Sequence, residues 1–456
     1  NMRHYGPGRG RQLPPVSFFP LTAPELLRSR LVVLESVTLQ TIDSSSLIDH
    51  TALSRAAVSV VERLCDNDYS AFIVGGAVRD LLLGKRPKDF DVATDATPEQ
   101  VVALFRGSRI IGRRFQIVHV RMGREIIEVT TFRGHHEDGV PKTAVKSQKG
   151  LLLRDNVYGT LDQDAARRDL TINALYLDPV NHLILDDLDG LEDIRRRVIR
   201  IIGDPATRYS EDPVRMLRVV RFAAKLGFSI EQTSVAAISE RRHLLADIPA
   251  ARLFDETLKL FMAGFAAPTI EHLANHKLLE PLFPEALPAM DDASSRDLIL
   301  KAMSNTDARI ARGKPVTPAF LLGALLWPAV AAKGHAIASS GAHDGSPINA
   351  AGQEVLAITL QRVAIPKRFS IPMREIWELQ PRLEKCSSKR VKSVLAQRRF
   401  RAAFDLLLLR AESSDQLKSA VAFWEEQQQL FPEVVGSLPA TEIPQRKRPR
   451  RRKRNQ

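Results

Sequence analysis

The sequence predicts an α+β chain: a head of mixed sheet and helices, followed by an all-α remainder. Three observations carry that expectation. Short apolar or alternating runs with strand character are confined to the part before Gly190. Beyond Gly190 the apolar residues recur almost only at helical spacing. The length, 456 residues, exceeds what one compact core usually holds, so several modules are expected. No internal repeat is visible.

Residues 1–45 mix Pro, Gly, Arg and Ser without either period and are expected to form a disordered extension. Order is expected from Ser46. Ala57, Val58, Val61 and Leu64 have helical spacing, and Ala71-Phe-Ile-Val74 is a short apolar run ended by Gly75-Gly76, a buried strand entering a turn. A helix over 77–83 follows. Strands are expected over 90–92, 117–120, 126–132 and 175–177, with a helix over 98–105 after the first of them. Residues 133–162 turn polar and Gly-rich and predict a long loop. Helices are then expected over 213–226, 251–263, 319–332 and 389–409, with a surface connection over 333–352. The resulting boundaries are an extension at 1–45, a head at 46–185, a helical neck at 186–265, a helical body at 266–435 and a disordered tail at 436–456.

Composition narrows the function. There are 66 Lys plus Arg against 53 Asp plus Glu, a net charge of +13 that calls for an anionic partner, nucleic acid first. Eight of those charges lie in the run Arg446, Lys447, Arg448, Arg450, Arg451, Arg452, Lys453 and Arg454. This run reads as an electrostatic arm for RNA with little sequence choice. Only Cys65 and Cys386 are present, which excludes a disulfide framework or a cysteine zinc site. The apolar stretch 319–332 is interrupted by Pro328 and falls short of the ~18 residues that span a bilayer, so no membrane partner is expected. Three other signals are discounted. Gly6-Pro-Gly-Arg-Gly10 follows no strand, and neither His135-His136 nor His343-Asp344 has partner ligands in view.

The chemistry concentrates in the head. On a strand, residues i and i+2 share a face, so Asp89 and Asp91 bring two carboxylates to one place, and a hard cation such as Mg²⁺ relieves their repulsion. A third carboxylate would allow a second metal and an in-line phosphoryl displacement. Glu128 is the first candidate and Asp169 the runner-up. Gly75 and Gly76, between strand and helix, let backbone amides approach a phosphate, and Arg79 on the first helical turn is a candidate to neutralise it. The alternative for Arg79 is a pair with Asp80.

Phe72-Ile-Val-Gly-Gly-Ala-Val-Arg-Asp-Leu-Leu-Leu-Gly84 with Lys88-Asp-Phe-Asp-Val-Ala-Thr94 resembles the head of the class II nucleotidyltransferases, the bacterial poly(A) polymerases and tRNA CCA-adding enzymes. Arg167-Arg-Asp-Leu-Thr-Ile-Asn-Ala-Leu175 resembles the family's ribose motif, which implies nucleotide contacts for Arg168, Asp169 and Asn173. Glu211-Asp-Pro-Val-Arg-Met-Leu-Arg-Val-Val-Arg-Phe222 resembles its base-reading helix. There the spacing of Asp212, Arg215 and Arg218 lets acceptors and donors converge on adenine, with Arg218 and Arg221 toward phosphate.

The stretch from Ile110 to Val120 and the basic helix carrying Lys389, Arg390, Lys392, Arg398, Arg399 and Arg401 are similar to the poly(A) polymerase branch. On a helix, such cations with an occasional aromatic form a sequence-tolerant RNA track. The resemblance implies an enzyme that adds AMP from ATP to RNA 3′ ends and releases pyrophosphate by a two-metal mechanism, with Mg²⁺ or Mn²⁺ as cofactor. It further implies a cytoplasmic, monomeric protein acting on mRNA and other transcripts alongside RNA-decay proteins. CCA addition to tRNA and a non-catalytic RNA-binding adaptor are the alternatives.

Overall fold

The computed structural model describes residues 40–112, 116–134, 157–341, 345–412 and 414–437. The head is built on an eight-stranded mixed sheet in the order β1-β8-β7-β2-β3-β6-β5-β4. Its strands are β1 (Gln40–Asp43), β2 (Ala71–Val74), β3 (Asp91–Thr94), β4 (Arg109–Ile111), β5 (Ile117–Met122), β6 (Glu125–Thr131), β7 (Tyr176–Asp178) and β8 (Leu183–Asp186). Helices α1 (Arg55–Cys65), α2 (Gly76–Leu82), α3 (Pro98–Leu104) and α4 (Leu161–Ala166) pack around it. Local signals start two of them. The Ser54 hydroxyl accepts from the Ala57 amide at α1, and Thr97 with Gln100 forms a capping box before α3, which opens on Pro98.

Alternation sorts the two faces of the sheet. Ile73, Val92, Ile127 and Val129 join the main core with Val60, Val61 and Leu64 of α1. Val74, Ala93, Phe132 and Tyr176 form a smaller cluster with Leu161 and Ala165 of α4 on the opposite face. Phe90 is buried while Asp89 and Asp91 are exposed, so both carboxylates turn away from the main core.

Past α5 (Gly190–Arg196) the chain is almost wholly helical. The neck comprises α6 (Pro205–Glu211), α7 (Val214–Leu226), α8 (Gln232–Arg241) and α9 (Ala250–Phe261). A short parallel pair, β9 (Val198–Ile199) and β10 (Ser229–Ile230), leads into it. The body continues through α10 (Ala266–Asn275), α11 (Leu279–Leu282), α12 (Leu287–Asp291), α13 (Ala293–Ala311), α14 (Pro318–Ser340), α15 (Pro347–Arg362), α16 (Lys367–Glu384), α17 (Val391–Leu395), α18 (Phe400–Ala411) and α19 (Asp415–Leu430). One continuous cluster of buried side chains runs from Ile48 in the head to Trp424 in α19.

Several expectations need correction. The extension expected through residue 45 stops earlier, because Gln40–Asp43 pairs antiparallel with Leu183–Asp186 as an edge strand. Ile42 is the sole aliphatic residue of that strand, so no period announced it. The connection expected over 333–352 shrinks to 341–346. Helix α14 continues to Ser340 and α15 opens at Pro347, with the small Gly334 allowing Ile348 to approach closely. Helix α14 runs through Pro328 and, at 23 residues, is long and apolar enough by length and composition to cross a bilayer. It packs here against α13, α15 and α16. The basic helix expected over 389–409 is broken into a 3-10 turn at Ser388–Arg390, the short α17, and α18 from Phe400. The extension at 1–39, His135-His136, His343-Asp344 and the basic run 446–454 lie outside the described residues.

Candidate active site

The glycine turn and the acidic pair meet through the sheet register. Asp91 opens β3 directly opposite Val74, the last residue of β2, and so stands beside Gly75. On its other side Asp91 is in register with Glu128 of the parallel strand β6. Asp89 lies just before the strand, two residues from Asp91 and on the same side. Of the two candidates for a third carboxylate, Glu128 is therefore the neighbour of Asp91.

The electrostatics bear the mark of this crowding. Burial, the charge of Glu128 and that of Asp89 push the Asp91 carboxyl up to about 6, with the Arg168 guanidinium opposing them. The net effect is an acid group short of compensating positive charge, which is what a divalent cation would supply. No three acid, histidine or cysteine side chains among the described residues make a ready metal cage. Glu128 also holds His119 across the β5–β6 ladder, Nε2 to Oε1 at 3.3 Å, while the buried His119 Nδ1 has no partner.

Arg168 links this acidic face to the neck. Its guanidinium donates to Asp164 Oδ2 at 3.0 Å and to the Tyr176 hydroxyl at 3.0 Å, and Tyr176 in turn donates to Asp164 at 2.7 Å. Burial works against the charge of Asp164, yet the guanidinium groups of Arg168 and Arg167 and the Tyr176 hydroxyl outweigh it and hold the carboxyl below its usual range. Arg168 is thus clamped over Gly75, where a Cβ would lie 3.4 Å from its Nη1. Gly75 has φ of +71°, a conformation L side chains rarely adopt. Gly75→Ala is expected to cost about 1–2 kcal/mol of stability and to displace Arg168, read by urea unfolding and by the activity of the folded variant.

On the neck side lies a cleft of about 350 Å³ lined by Arg168, Asp169, Asp212, Arg215, Arg218 and Arg252, with Glu256 at its border. Asp169 accepts from Arg218 Nε at 2.6 Å, and this pairing outweighs burial and keeps its carboxyl low. The runner-up carboxylate therefore faces the neck rather than Asp91. Asp212 is paired with Arg252 at 2.7 Å, and Arg215 donates to Glu211 at 2.7 Å. Glu211 ends α6 and keeps its i, i+4 pair with Arg215, but Asp212 lies in the extended link before α7, so helical spacing does not align it with Arg215. The turn between the two helices brings Asp212 to the cleft instead.

Three residues expected at the nucleotide are engaged in packing contacts within the fold. Arg79 is buried, bound bidentately to Asp80 and to Asn173 Oδ1, and stacked over Phe222 at 5.1 Å. The alternative pairing with Asp80 is the one found, and Arg79 acts as a strut between α2, the 171–173 turn and α7. Asn173 is likewise buried as the link between Arg79 and Asp169. Arg221 stacks on Phe222 at 5.0 Å outside the cleft lining, and burial together with Arg218 lowers its pKa.

In the body, Arg399 is bonded to Glu375 and Arg401 to Gln428, so both are partly spent on packing, whereas Lys389, Arg390, Lys392 and Arg398 are exposed. Sequence reasoning missed Asp164, Tyr176, His119, Arg208 and Arg252. For Asp164 a signal existed, its i, i+4 spacing to Arg168. Arg208, which donates to the carbonyls of Arg167 and Arg168 at 2.8 and 2.7 Å, had none.

Three stretches of the chain match known families. Residues 71–200 match the poly A polymerase head domain, and 227–290 match the probable RNA and SrmB-binding site of polymerase A. Residues 340–456 match the polymerase A arginine-rich C-terminus. The chain is 45% identical to poly(A) polymerase I of Escherichia coli O6:H1 over 418 residues, 89% of each chain. It belongs to the poly(A) polymerase I family.

The related CCA-adding branch matches more narrowly. The CCA-adding enzyme of Bacillus pumilus is 38% identical over 228 residues, 50% of this chain and 54% of its own. Among solved structures, the Bacillus stearothermophilus CCA-adding enzyme in complex with CTP superposes with a TM-score of 0.52 at 26% identity, covering 83% of this chain and 82% of that one. The poly(A) polymerase I likeness thus extends through the helical body, while the sequence likeness to the CCA-adding enzyme stops near half the chain.

Proposed function

We propose that this protein is a template-independent RNA adenylyltransferase that transfers AMP from ATP to RNA 3′-hydroxyls and releases pyrophosphate. The observation that carries this reading is the 45% identity to a poly(A) polymerase I over 89% of both chains, against half-length matches to CCA-adding enzymes. Asp89 and Asp91 would hold the divalent cation, Mg²⁺ or Mn²⁺ in its place, with Glu128 beside them. Bound there, such ions neutralise developing charge on the phosphoryl group and ease ionisation of the attacking hydroxyl.

The protein's own groups do the rest. The backbone amide of Gly76 and the Arg168 guanidinium face the triphosphate, while the Gly75 amide is held by the Leu175 carbonyl at 3.2 Å, and Asp164 with Tyr176 prevents that guanidinium from swinging away. The neck cleft takes the nucleoside, with Asp169 and Arg218 toward the ribose. Asp212, steadied by Arg252, and Arg215 meet the edge of the base. A carboxylate oxygen accepting from the adenine amine and a guanidinium donating to the neighbouring ring nitrogen select adenine by hydrogen-bond direction. In the cell, this reading places the protein in the cytoplasm as a monomer, tailing mRNA and other transcripts and working with RNA-decay proteins.

The test supplies either an unstructured RNA or a tRNA lacking its 3′ end, with ATP and CTP offered separately and Mg²⁺ present. Long A tails on the first RNA are expected, with little use of CTP. Cytidine incorporation confined to the tRNA would instead make the protein a CCA-adding enzyme, and tight RNA binding with no incorporation would make it an adaptor.

A further inference from the structure

A second cavity lies in the body, apart from the acidic face and the neck cleft. It has a volume of about 490 Å³ and is bounded by Lys389, Lys392 and Ser393 on one side and by Phe423, Gln427 and Phe431 on the other. That size falls within the roughly 300–1,000 Å³ spanned by ligand pockets. Phe423 and Gln427 are one helical turn apart on α19, and Phe431 caps the same helix, so the three form a single stripe. Across from them, Lys389 and Lys392 come from the 3-10 turn and α17, and the Lys392 ammonium sits 4.7 Å from the Phe431 ring centroid.

The walls are well supported. Phe423 packs edge-on against the fully buried Trp424, whose indole donates to the Leu383 carbonyl at 2.7 Å. The Gly436 amide donates to the Leu395 carbonyl at 2.8 Å, tying the segment after Phe431 back to α17. Phe423 and Phe431 nevertheless remain partly exposed, and Gln427 lines the cavity with them. Unlike Arg399 and Lys301, which are paired with glutamates, Lys389 and Lys392 have no carboxylate partner among the described residues.

We infer that this cavity is a nucleotide subsite for single-stranded RNA, taking one base against Phe423 and Phe431 and its flanking phosphate on Lys389 and Lys392. The inference rests on the adenylyltransferase reading and adds to it an anchor for the transcript away from the reacting end. Aromatic faces accept any base by stacking, unpaired lysines neutralise phosphate, and Gln427 offers both a donor and an acceptor to a base edge. An acidic protein partner would satisfy the lysines but would leave no use for two aromatic rings at base-stacking exposure.

The full-length protein decides the matter by fluorescence anisotropy with a labelled single-stranded oligo(A), alongside adenylation of a dinucleotide primer. Phe423→Leu and Phe431→Leu keep apolar volume but lose the π-face, and each is expected to weaken oligo(A) binding about tenfold. Phe423→Tyr and Phe431→Tyr should bind like the unaltered protein. Lys392→Gln should reduce the slope of log affinity against log salt by about 1. Dinucleotide adenylation should be unchanged in the phenylalanine variants. Leucine variants with undiminished affinity would overturn the subsite, as would tyrosine variants that lose as much as the leucine ones. A protein that binds oligo(A) through these rings yet adenylates nothing would overturn the activity and leave the subsite standing.

Discussion

Asp91→Asn is expected to abolish adenylation while making the metal-free protein more stable at neutral pH. The loss of rate should be at least about 10²–10³-fold, the scale of removing one preorganised charge from a reacting centre. The gain in stability follows from the crowding of Asp91 with Glu128 and Asp89. In the folded protein burial and these neighbours push its carboxyl up to about 6, against an ordinary value of 3.8. Between those values the native state keeps a proton that the unfolded chain releases, so raising the pH through this window costs stability. Below the window the aspartate costs nothing, and above it the full penalty applies. The asparagine cannot ionise and escapes the penalty. Because Asp91 is open to solvent on one side, screening should hold the gain to about 1 kcal/mol or less.

Thermal unfolding of both proteins in chelator, from acid to neutral pH, measures this directly. Their melting temperatures should converge at low pH and diverge as Asp91 ionises. Adding Mg²⁺ should stabilise the unaltered protein more than the variant, since the cation binds the folded carboxylates. Parallel curves with no divergence would mean that Asp91, Glu128 and Asp89 do not share a site.

Asp164→Ala should be strongly destabilising, about 2–4 kcal/mol, because it removes the carboxylate that part-buried Arg168 and the buried Tyr176 hydroxyl share. Asp164 is 3% exposed and receives bonds from Arg167, Arg168 and Tyr176. The sign of its pH dependence is opposite to that of Asp91. Its folded carboxyl lies below the ordinary 3.8, so its stabilisation is fully present above that value and disappears as the pH falls through the lower folded value. Asp164→Asn keeps one acceptor oxygen and should cost less than the alanine change. Urea unfolding of the two variants tests the ranking, and a loss under about 1 kcal/mol for the alanine would show that Arg168 is not clamped by Asp164. Folded Asp164→Asn should also lose ATP affinity, since a loosened Arg168 no longer covers the glycine turn.

These two aspartates mark how far the site was legible. Asp91 was visible because Asp-x-Asp after a strand–Gly–Gly–helix is a local pattern, with the glycine demanded by a φ of +71° at Gly75. Asp164 was passed over between the polar stretch 133–162 and the motif at 167–175, although its spacing to Arg168 was available. The surroundings of Arg79 were hidden for a different reason. One turn into α2 it looked free to meet a phosphate, but Asp80, Asn173 and Phe222 surround it, and two of those three come from distant parts of the chain. Lys389 and Lys392 were expected on a continuous basic helix. The break after α17 instead sets them opposite the rings of Phe423 and Phe431.

The amino-acid order alone determined the α+β division, the strand–glycine–helix turn, the paired aspartates and the family of the chain. Each of these is written in short-range periodicity or in a contiguous motif, which backbone geometry translates directly. The tertiary structure alone decided that Glu128 rather than Asp169 neighbours Asp91, that Arg79 is a strut and Arg168 the guanidinium over the turn, and that Asp212 is held by Arg252. Those outcomes depend on strand register and helix packing between distant segments. There the partner of a charge is set by the burial of both groups together, which no local pattern encodes.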